Sequence, residues 1–133
     1  MIRHFVIGLL ALSAMACSRG DSTVLPGGTW NLKRLLDEDA SAYKRPITIT
    51  LDTAQSTISG FAGCNQYFSS YTAKNASLRF TGIGSTKMFC EEAMQIENTF
   101  LEALSLVRAY KLEADRLYLL KGDSVLMEFG QQL

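Results

Sequence analysis

The feature that most constrains the fold is a series of short runs in which apolar and polar residues alternate. In the clearest run, Ile47, Ile49 and Leu51 share one face, while two threonines and an aspartate occupy the other. A period of two with many β-branched side chains is typical of a half-buried strand. Similar runs recur between Thr29 and Phe129. The chain therefore predicts a domain built mainly of short strands.

One segment, at about residues 91–107, has helical spacing instead. Its apolar residues recur at intervals of three and four, as in an amphipathic helix, and they are Ala93, Ile96, Phe100, Leu101, Leu104 and Val107. Because strands and helices do not alternate, sequential strands joined by short turns favour an antiparallel sheet. We predict an α+β fold in which about seven or eight short strands form a curved, barrel-like antiparallel sheet with this one main helix.

The N-terminus has the form of an export signal. A short positive start is followed by an uncharged run at residues 5–16, which is too short for a membrane-spanning helix of about 20 residues. The run ends Ala14-Met15-Ala16-Cys17, which resembles a bacterial lipoprotein signal. We expect residues 1–16 to be removed, Cys17 to be lipidated and residues 17–25 to form a tether. The alternative is a secreted chain with a free thiol at Cys17.

The resemblance to a lipoprotein signal implies a location in the bacterial cell envelope. Ser18 after the cysteine resembles the outer-membrane sorting pattern of enteric bacteria, so we expect an outer-membrane anchor with the domain facing the periplasm. The acyl chain makes the membrane the first partner without any basic patch. The 13 basic and 13 acidic residues cancel, and nucleic-acid binding needs a concentrated positive surface. We therefore exclude nucleic acid as the main partner.

The three cysteines allow one pair in the domain. If Cys17 carries lipid, Cys64 and Cys90 remain, and in an oxidising compartment we expect them to form a disulfide. The alternative is a reactive or metal-binding thiol pair. The one histidine, His4, lies within the signal. A mature chain without histidine cannot build a tetrahedral Cys/His zinc site or a Ser-His-Asp nucleophile, and we expect no metal and no cofactor.

Two motifs resemble those of a known family. One contains Gly63-Cys64-Asn65 followed by Tyr67, and the other contains Thr86, Met88 and Cys90 just before the predicted helix. Over about residues 26–130 the chain resembles the META domain of HslJ-like bacterial proteins. The resemblance implies a small α+β domain at residues 26–133, with a barrel-like sheet and one helix. It also implies an exported or outer-membrane lipoprotein, in some cases induced by heat shock.

The motif residues Gly63, Asn65, Tyr67 and Thr86 are candidates for a binding site. Each also has a structural alternative. For Asn65 we favour a turn residue beside the disulfide, and for the Thr86 hydroxyl sheet pairing or hydrogen bonding at the start of the helix. Tyrosines are enriched at interfaces, so Tyr67 could instead line a contact surface, as could Tyr43 and Tyr71.

Carboxylates are the remaining candidates for catalysis. We expect Glu91, Glu92 and Glu97 to lie on the polar face of the helix with ordinary pKa values, and a glycosidase pair would also need a walled cleft. The acidic run Asp37-Glu38-Asp39 lacks the spacing of a calcium loop, so we expect a solvated loop. Trp30, Phe80 and Phe100 are expected in the core.

These observations predict a non-catalytic, lipid-anchored envelope protein. We expect its domain to act as a binding or stress-protective module on an envelope protein or ligand that the sequence does not identify. One alternative is a periplasmic inhibitor of lysozyme or another hydrolase. Another is a carrier of a small apolar ligand, which would need an unfilled barrel interior.

Overall fold

The structure is a computed structural model that describes residues 24–132. The predicted signal at residues 1–16 and the lipidation site at Cys17 lie outside the described residues. Within the described range, nine strands and one helix follow one another. They are β1 (Gly28–Leu35), β2 (Glu38–Asp39), β3 (Thr48–Asp52), β4 (Thr57–Phe61), β5 (Gln66–Lys74), β6 (Ser77–Ser85), α1 (Met94–Leu106), β7 (Ala109–Glu113), β8 (Arg116–Lys121) and β9 (Ser124–Gln131).

The strands form one antiparallel sheet that closes on itself. The order is β2-β1-β3-β4-β5-β6-β7-β8-β9, and β9 also pairs with β1, where Trp30 lies opposite Gln131. The short β2 extends from the end of β1 as a hairpin. The ring is uneven, because β6 and β7 share a single residue pair, Ser77 with Ala109, whereas β5 and β6 pair along most of their length. The predicted curved antiparallel sheet with one main helix is confirmed.

Alternation along the strands places one row of side chains inside the ring. The largest fully buried side chains are Tyr67, Phe100, Phe129, Leu32, Ile47, Ile49, Ile58, Leu78, Leu104, Leu117, Leu119 and Met127. Each contributes roughly 1.5–3 kcal/mol by leaving water. The predicted core residues Trp30, Phe80 and Phe100 are all buried. Leu25, the last residue of the predicted tether, also packs into this core.

Helix α1 is slightly shorter than predicted. Residues 91–93 form a turn, in which the carbonyl of Cys90 accepts hydrogen bonds from the N–H groups of Ala93 and Met94. The helix buries Phe100 among the side chains inside the closed sheet. There the aromatic rings of Phe100 and Tyr67 make an edge-to-face contact, with 5.3 Å between their centroids. In the part of the chain that the structure describes, no helix is both long and apolar enough to cross a membrane.

The antiparallel order assigns the loops to two edges of the sheet. Because neighbouring strands of the sheet run in opposite directions, β1 begins at the same edge as the β3–β4 and β5–β6 turns. We call this the N-terminal edge. The β4–β5 loop, residues 62–65, and the segment at residues 86–93 after β6 lie at the opposite edge, which we call the motif edge.

Candidate functional site

A buried carboxylate organises the motif edge. Glu97, in the first half of α1, is 2% exposed. Its Oε2 accepts hydrogen bonds from the backbone N–H groups of Cys64 at 2.8 Å and Asn65 at 2.6 Å, and its Oε1 accepts one from Asn65 Nδ2 at 2.7 Å. Gly63 precedes these donors with a φ of 123°, a conformation that glycine adopts readily. It turns the loop so that two successive N–H groups face one oxygen.

Asn65 extends these contacts to the segment after β6. Its Oδ1 accepts hydrogen bonds from the Thr86 hydroxyl at 2.9 Å and the Met88 N–H at 2.7 Å. Its Nδ2 also donates to the Met88 carbonyl at 3.0 Å. One side chain therefore joins the helix, the 62–65 loop and the 86–90 segment. We call Asn65, Thr86 and Glu97 the polar brace.

The brace keeps Glu97 ionised. Burial raises the pKa of the Glu97 carboxyl, but the hydrogen bonds from the Asn65 side chain and from the N–H groups of Asn65 and Cys64 outweigh it. The positive charge of Lys87 acts in the same direction, and the net result is a pKa below the ordinary value. At neutral pH each of the three donors therefore meets a negatively charged acceptor, which strengthens the hydrogen bond.

The expectation that Glu97 lies on the polar face of the helix is wrong. Glu97 lies four residues after Ala93 and three before Phe100, inside the apolar stripe that turns towards the core. The signal was present in the sequence, because a charged residue within an apolar stripe requires buried partners. Glu91 and Glu92 are exposed, as expected for a polar surface.

A disulfide reinforces the same edge. Cys64 and Cys90 are bonded, with their Cα atoms 5.8 Å apart, a separation typical of such bridges. The predicted pairing is confirmed. The bridge joins the 62–65 loop to Cys90, whose carbonyl accepts hydrogen bonds from the N–H groups of Ala93 and Met94 at the start of α1. Both ends of the 86–90 segment are therefore fixed, one by Thr86 and the other by Cys90.

Tyr67 lies inside the ring. It is 1% exposed, its hydroxyl donates to the Thr48 carbonyl at 2.8 Å, and burial raises its pKa. Tyr71 is buried as well. The alternative in which these two tyrosines line a contact surface is therefore wrong. Tyr43, with 40% exposure, is the one of the three that faces solvent.

The fixed 86–90 segment holds two apolar side chains in solvent. Met88 is 61% exposed and Phe89 is 80% exposed, although the backbone of Met88 is hydrogen-bonded to Asn65 and Cys90, directly after Phe89, is in the disulfide. We call Met88 and Phe89 the presented pair. Large apolar side chains held rigidly in water are candidates for contact with another molecule.

Two adjoining clefts border the motif edge. One, of about 540 Å³, lies between α1 and the chain from Leu35 to Tyr43. The other, of about 400 Å³, shares Tyr43, Glu92 and Ile96 with the first and reaches Gly63. Both are open to solvent. Across residues 24–132, no group of three or more His, Cys, Asp and Glu side chains is placed to hold a metal ion.

A comparison with known families identifies the family of this domain. A family model described as "META domain" matches residues 22–132. The chain belongs to the META domain family. The matched range contains the whole ring, the helix, the polar brace and the disulfide. No curated protein matches the sequence of the chain.

Solved structures show the same fold. This META domain is similar to a protein from Burkholderia xenovorans with an NMR structure, at 26% sequence identity and a TM-score of 0.63, over 89% of this chain and 99% of that chain. A second NMR structure matches at 22% identity and a TM-score of 0.61, over 77% and 87% of the two chains. A crystal structure of a DUF4847 family protein from Bacteroides vulgatus matches at 15% identity and a TM-score of 0.57, over 80% and 93%.

Proposed function

We propose that this META domain protein is a non-catalytic, lipid-anchored protein of the bacterial cell envelope. Its domain acts as a binding module that contacts an envelope protein through the presented pair. The observation that carries the proposal is the role of the motif side chains. Asn65 and Thr86 direct their polar groups inward to fix the 86–90 segment, and Met88 and Phe89 are what that segment offers to solvent.

The non-catalytic part rests on the chemistry of the brace. Glu97 is surrounded by three hydrogen-bond donors and its pKa is lowered, so its carboxylate is a weak base and carries no proton to donate near neutral pH. The Thr86 hydroxyl donates to Asn65. The single histidine of the chain is His4, which the proposed processing removes.

The binding part rests on rigidity and apolar area. Covering Phe89 and Met88 would each contribute roughly 1.5–3 kcal/mol. Because hydrogen bonds and the disulfide already hold their backbone, little conformational freedom is lost on association. A stress-protective role, which the HslJ-like resemblance implies, would use the same surface. An inhibitor of lysozyme or another hydrolase would also bind through this surface. An enzyme assay distinguishes an inhibitor from a binding module that leaves the enzyme active. The filled interior, with Tyr67, Phe100 and Phe129 fully buried, does not favour a carrier.

The anchoring part rests on the N-terminal sequence. Residues 1–16 have the pattern of an export signal, and Cys17 follows them directly. Residues that precede β1 join the domain at the N-terminal edge, opposite the motif edge. An anchor at Cys17 would therefore leave the presented pair on the side of the domain away from the membrane, where a periplasmic protein can reach it.

The contact is tested by photo-crosslinking in cells that produce the full-length chain. A photoreactive amino acid replaces Phe89, and the control places it at Gln55, an exposed position in the β3–β4 turn at the N-terminal edge. We expect a discrete cross-linked product from position 89 that Met88→Ser weakens and that position 55 does not give. The same products from both positions would contradict the proposal. Lysozyme activity that falls as the purified protein is added would identify the inhibitor alternative.

The anchor is tested separately. Mass spectrometry of the N-terminal peptide from the membrane fraction should show an acylated Cys17. Cys17→Ala should move the protein to the soluble periplasmic fraction without changing its fold. An unmodified cysteine in membrane-bound protein would contradict the anchor and would leave the crosslinking result unaffected.

A further inference from the structure

A cleft at the side of the domain collects positive charge. It has a volume of about 390 Å³, and three cationic side chains line it, Lys74, Arg79 and Arg108. They come from three places, the end of β5, the first half of β6 and the two-residue segment between α1 and β7. The residues that line the cleft include no aspartate and no glutamate. With 13 basic and 13 acidic residues in the whole chain, this is a local concentration of one sign of charge.

Strand register explains why these groups share one face. Thr72 lies opposite Arg79 and Lys74 lies opposite Ser77 in the β5–β6 pair, and all four side chains are exposed. Lys74 and Arg79 are therefore diagonal neighbours on the outer face, with backbones about 7–8 Å apart. Thr72 and Ser77 occupy the other two positions of these cross-strand pairs, and their hydroxyls add hydrogen-bond donors.

Arg108 joins this face from the helix. Its Nη1 donates to the carbonyl oxygens of Val107 at 2.8 Å and Ser105 at 3.2 Å, which orients the guanidinium at the C-terminal end of α1. A cation is favoured there by the helix dipole. These two bonds use one nitrogen, so Nε and Nη2 are left for another acceptor. The backbone of Arg108 is fixed as well, because its carbonyl accepts a hydrogen bond from the N–H of Leu78.

No carboxylate of residues 24–132 forms an ion pair with any of these three cations. Within residues 24–132, the ion pairs join Lys111 to Glu113 and Arg116 to its acidic neighbours, and Lys74, Arg79 and Arg108 take part in none of them. Like charges held around one cleft repel one another. A bound anion would remove that repulsion and would accept charge-assisted hydrogen bonds from all three side chains.

We propose that Lys74, Arg79 and Arg108 form a binding site for a phosphate-type anion. This chemistry is shared by free phosphate and by the phosphate groups of lipid headgroups. The oxygens of a phosphate group point in several directions, so one group can accept charge-assisted hydrogen bonds from more than one of these cations.

The headgroup source depends on the proposed anchor at Cys17, and the free-phosphate source does not. The β5–β6 turn lies at the N-terminal edge, where β1 begins. An extended chain from Cys17 to Leu25, which packs into the core, reaches at most about 30 Å. A lipid at Cys17 would therefore hold the cleft within reach of the membrane surface.

The test uses the full-length chain with Cys17→Ser, so that acylation plays no part, in non-ionic detergent micelles. Backbone amide NMR signals of residues 72–79 and 108 are followed during two titrations. In the first, sodium phosphate is compared with sodium chloride at equal ionic strength. In the second, the micelles are doped with phosphatidylglycerol, with phosphatidylcholine as the reference lipid. The variant Lys74→Gln/Arg79→Gln is matched by Lys44→Gln/Lys121→Gln, which removes two exposed charges elsewhere.

A saturable response to phosphate, at least about tenfold weaker in Lys74→Gln/Arg79→Gln and unchanged in the matched control, supports the site and identifies a free anion as its ligand. The same pattern with phosphatidylglycerol alone supports the site and identifies a headgroup. Shifts no larger than those caused by chloride or phosphatidylcholine overturn the proposal, as does equal weakening in both double variants. If the first double variant does not fold, Lys74→Gln alone carries the comparison.

Discussion

The ionised carboxylate of Glu97 accepts two hydrogen bonds from Asn65. The two carboxylate oxygens of Glu97 receive the side-chain and backbone N–H groups of Asn65 at 2.7 and 2.6 Å, across 32 residues of sequence. One residue belongs to the helix and the other to the 62–65 loop. The position of α1 and the shape of the motif edge are therefore coupled through this pair.

Replacement of Glu97 by Gln should lower the free energy of unfolding by about 1–3 kcal/mol at pH 7. The amide is uncharged and would turn its own N–H₂ group towards one of the three donors. Denaturant unfolding followed by the fluorescence of buried Trp30 measures the change. Glu102→Gln, an exposed position on the same helix, should change stability by no more than about 0.5 kcal/mol. Equal losses in the two variants would contradict a specific role for Glu97.

Acid should weaken the wild-type protein partly through the same carboxyl. The pKa of Glu97 is lower in the folded protein than its ordinary value of 4.5. Its contribution to stability is therefore complete above that value and is lost as the pH falls through the lower, folded pKa. The unfolding free energy of the wild type should fall more steeply below about pH 5 than that of Glu97→Gln. If the unfolding free energies of the two proteins changed in parallel with pH, the pKa of Glu97 would be the same in the folded and the unfolded protein.

Asn65→Asp tests the other half of the pair. The substitution keeps the shape of the side chain but replaces a donor to Glu97 with a second carboxylate, and the two negative charges would repel. We expect a loss of more than about 2 kcal/mol at pH 7, with the gap to the wild type narrowing as the pH is lowered and the pair takes up a proton. Thermal unfolding from pH 4 to 7 measures this. Asn98→Asp, on the exposed side of α1, should have little effect at any of these pH values.

Gly60 should tolerate no side chain. A Cβ at this position would lie 2.2 Å from the backbone oxygen of Thr48, and a backbone atom in the sheet cannot move aside without breaking strand pairing. Gly60→Ala is expected to cost more than about 3 kcal/mol or to prevent folding. At Gly27 the nearest atom would be 3.7 Å away, so Gly27→Ala should remain folded. Soluble yield and melting temperature compare the two, and a stable Gly60→Ala protein would refute the steric argument.

The disulfide should contribute about 3–4 kcal/mol, on the basis of the loop that it closes. Cys64→Ala/Cys90→Ala is therefore expected to unfold at lower denaturant concentration than the oxidised wild type, by an amount close to that of the reduced wild type. Alkylation of the native protein should label neither Cys64 nor Cys90 until a reductant is added. Labelling without a reductant would favour a reactive thiol pair.

Local pattern was sufficient for much of the sheet and for the helix. The run from Ile47 to Asp52 alternates cleanly, and β3 follows it. After Phe80 the alternation breaks down at Gly82 and Gly84, and there β6 continues to Ser85 because β5 supplies its hydrogen-bond partners. The length of a strand that is set by pairing with its neighbour cannot be predicted from the residue pattern of that strand alone.

The site was less accessible to sequence reasoning. The motifs identify Asn65 and Thr86, but the sequence pattern predicts the solvent face for Glu97, the partner that gives them a role, because carboxylates are usually exposed. The sequence does not predict the cationic cleft either, since Lys74 and Arg108 are 34 residues apart and meet only when β5, β6 and the end of α1 assemble. Contacts of this kind depend on tertiary packing rather than on local propensity.

The pairing of β1 with β9 has a consequence for biogenesis. The first strand of the ring is hydrogen-bonded to the last, which ends at Gln131. In a chain that leaves an export channel N-terminus first, as proposed, β1 emerges before β9, so this strand pair cannot form until β9 has followed. Closure of the ring therefore depends on the arrival of β9. Until then the cell must shield an unpaired strand edge, which is the part of a β-protein most prone to join with another chain.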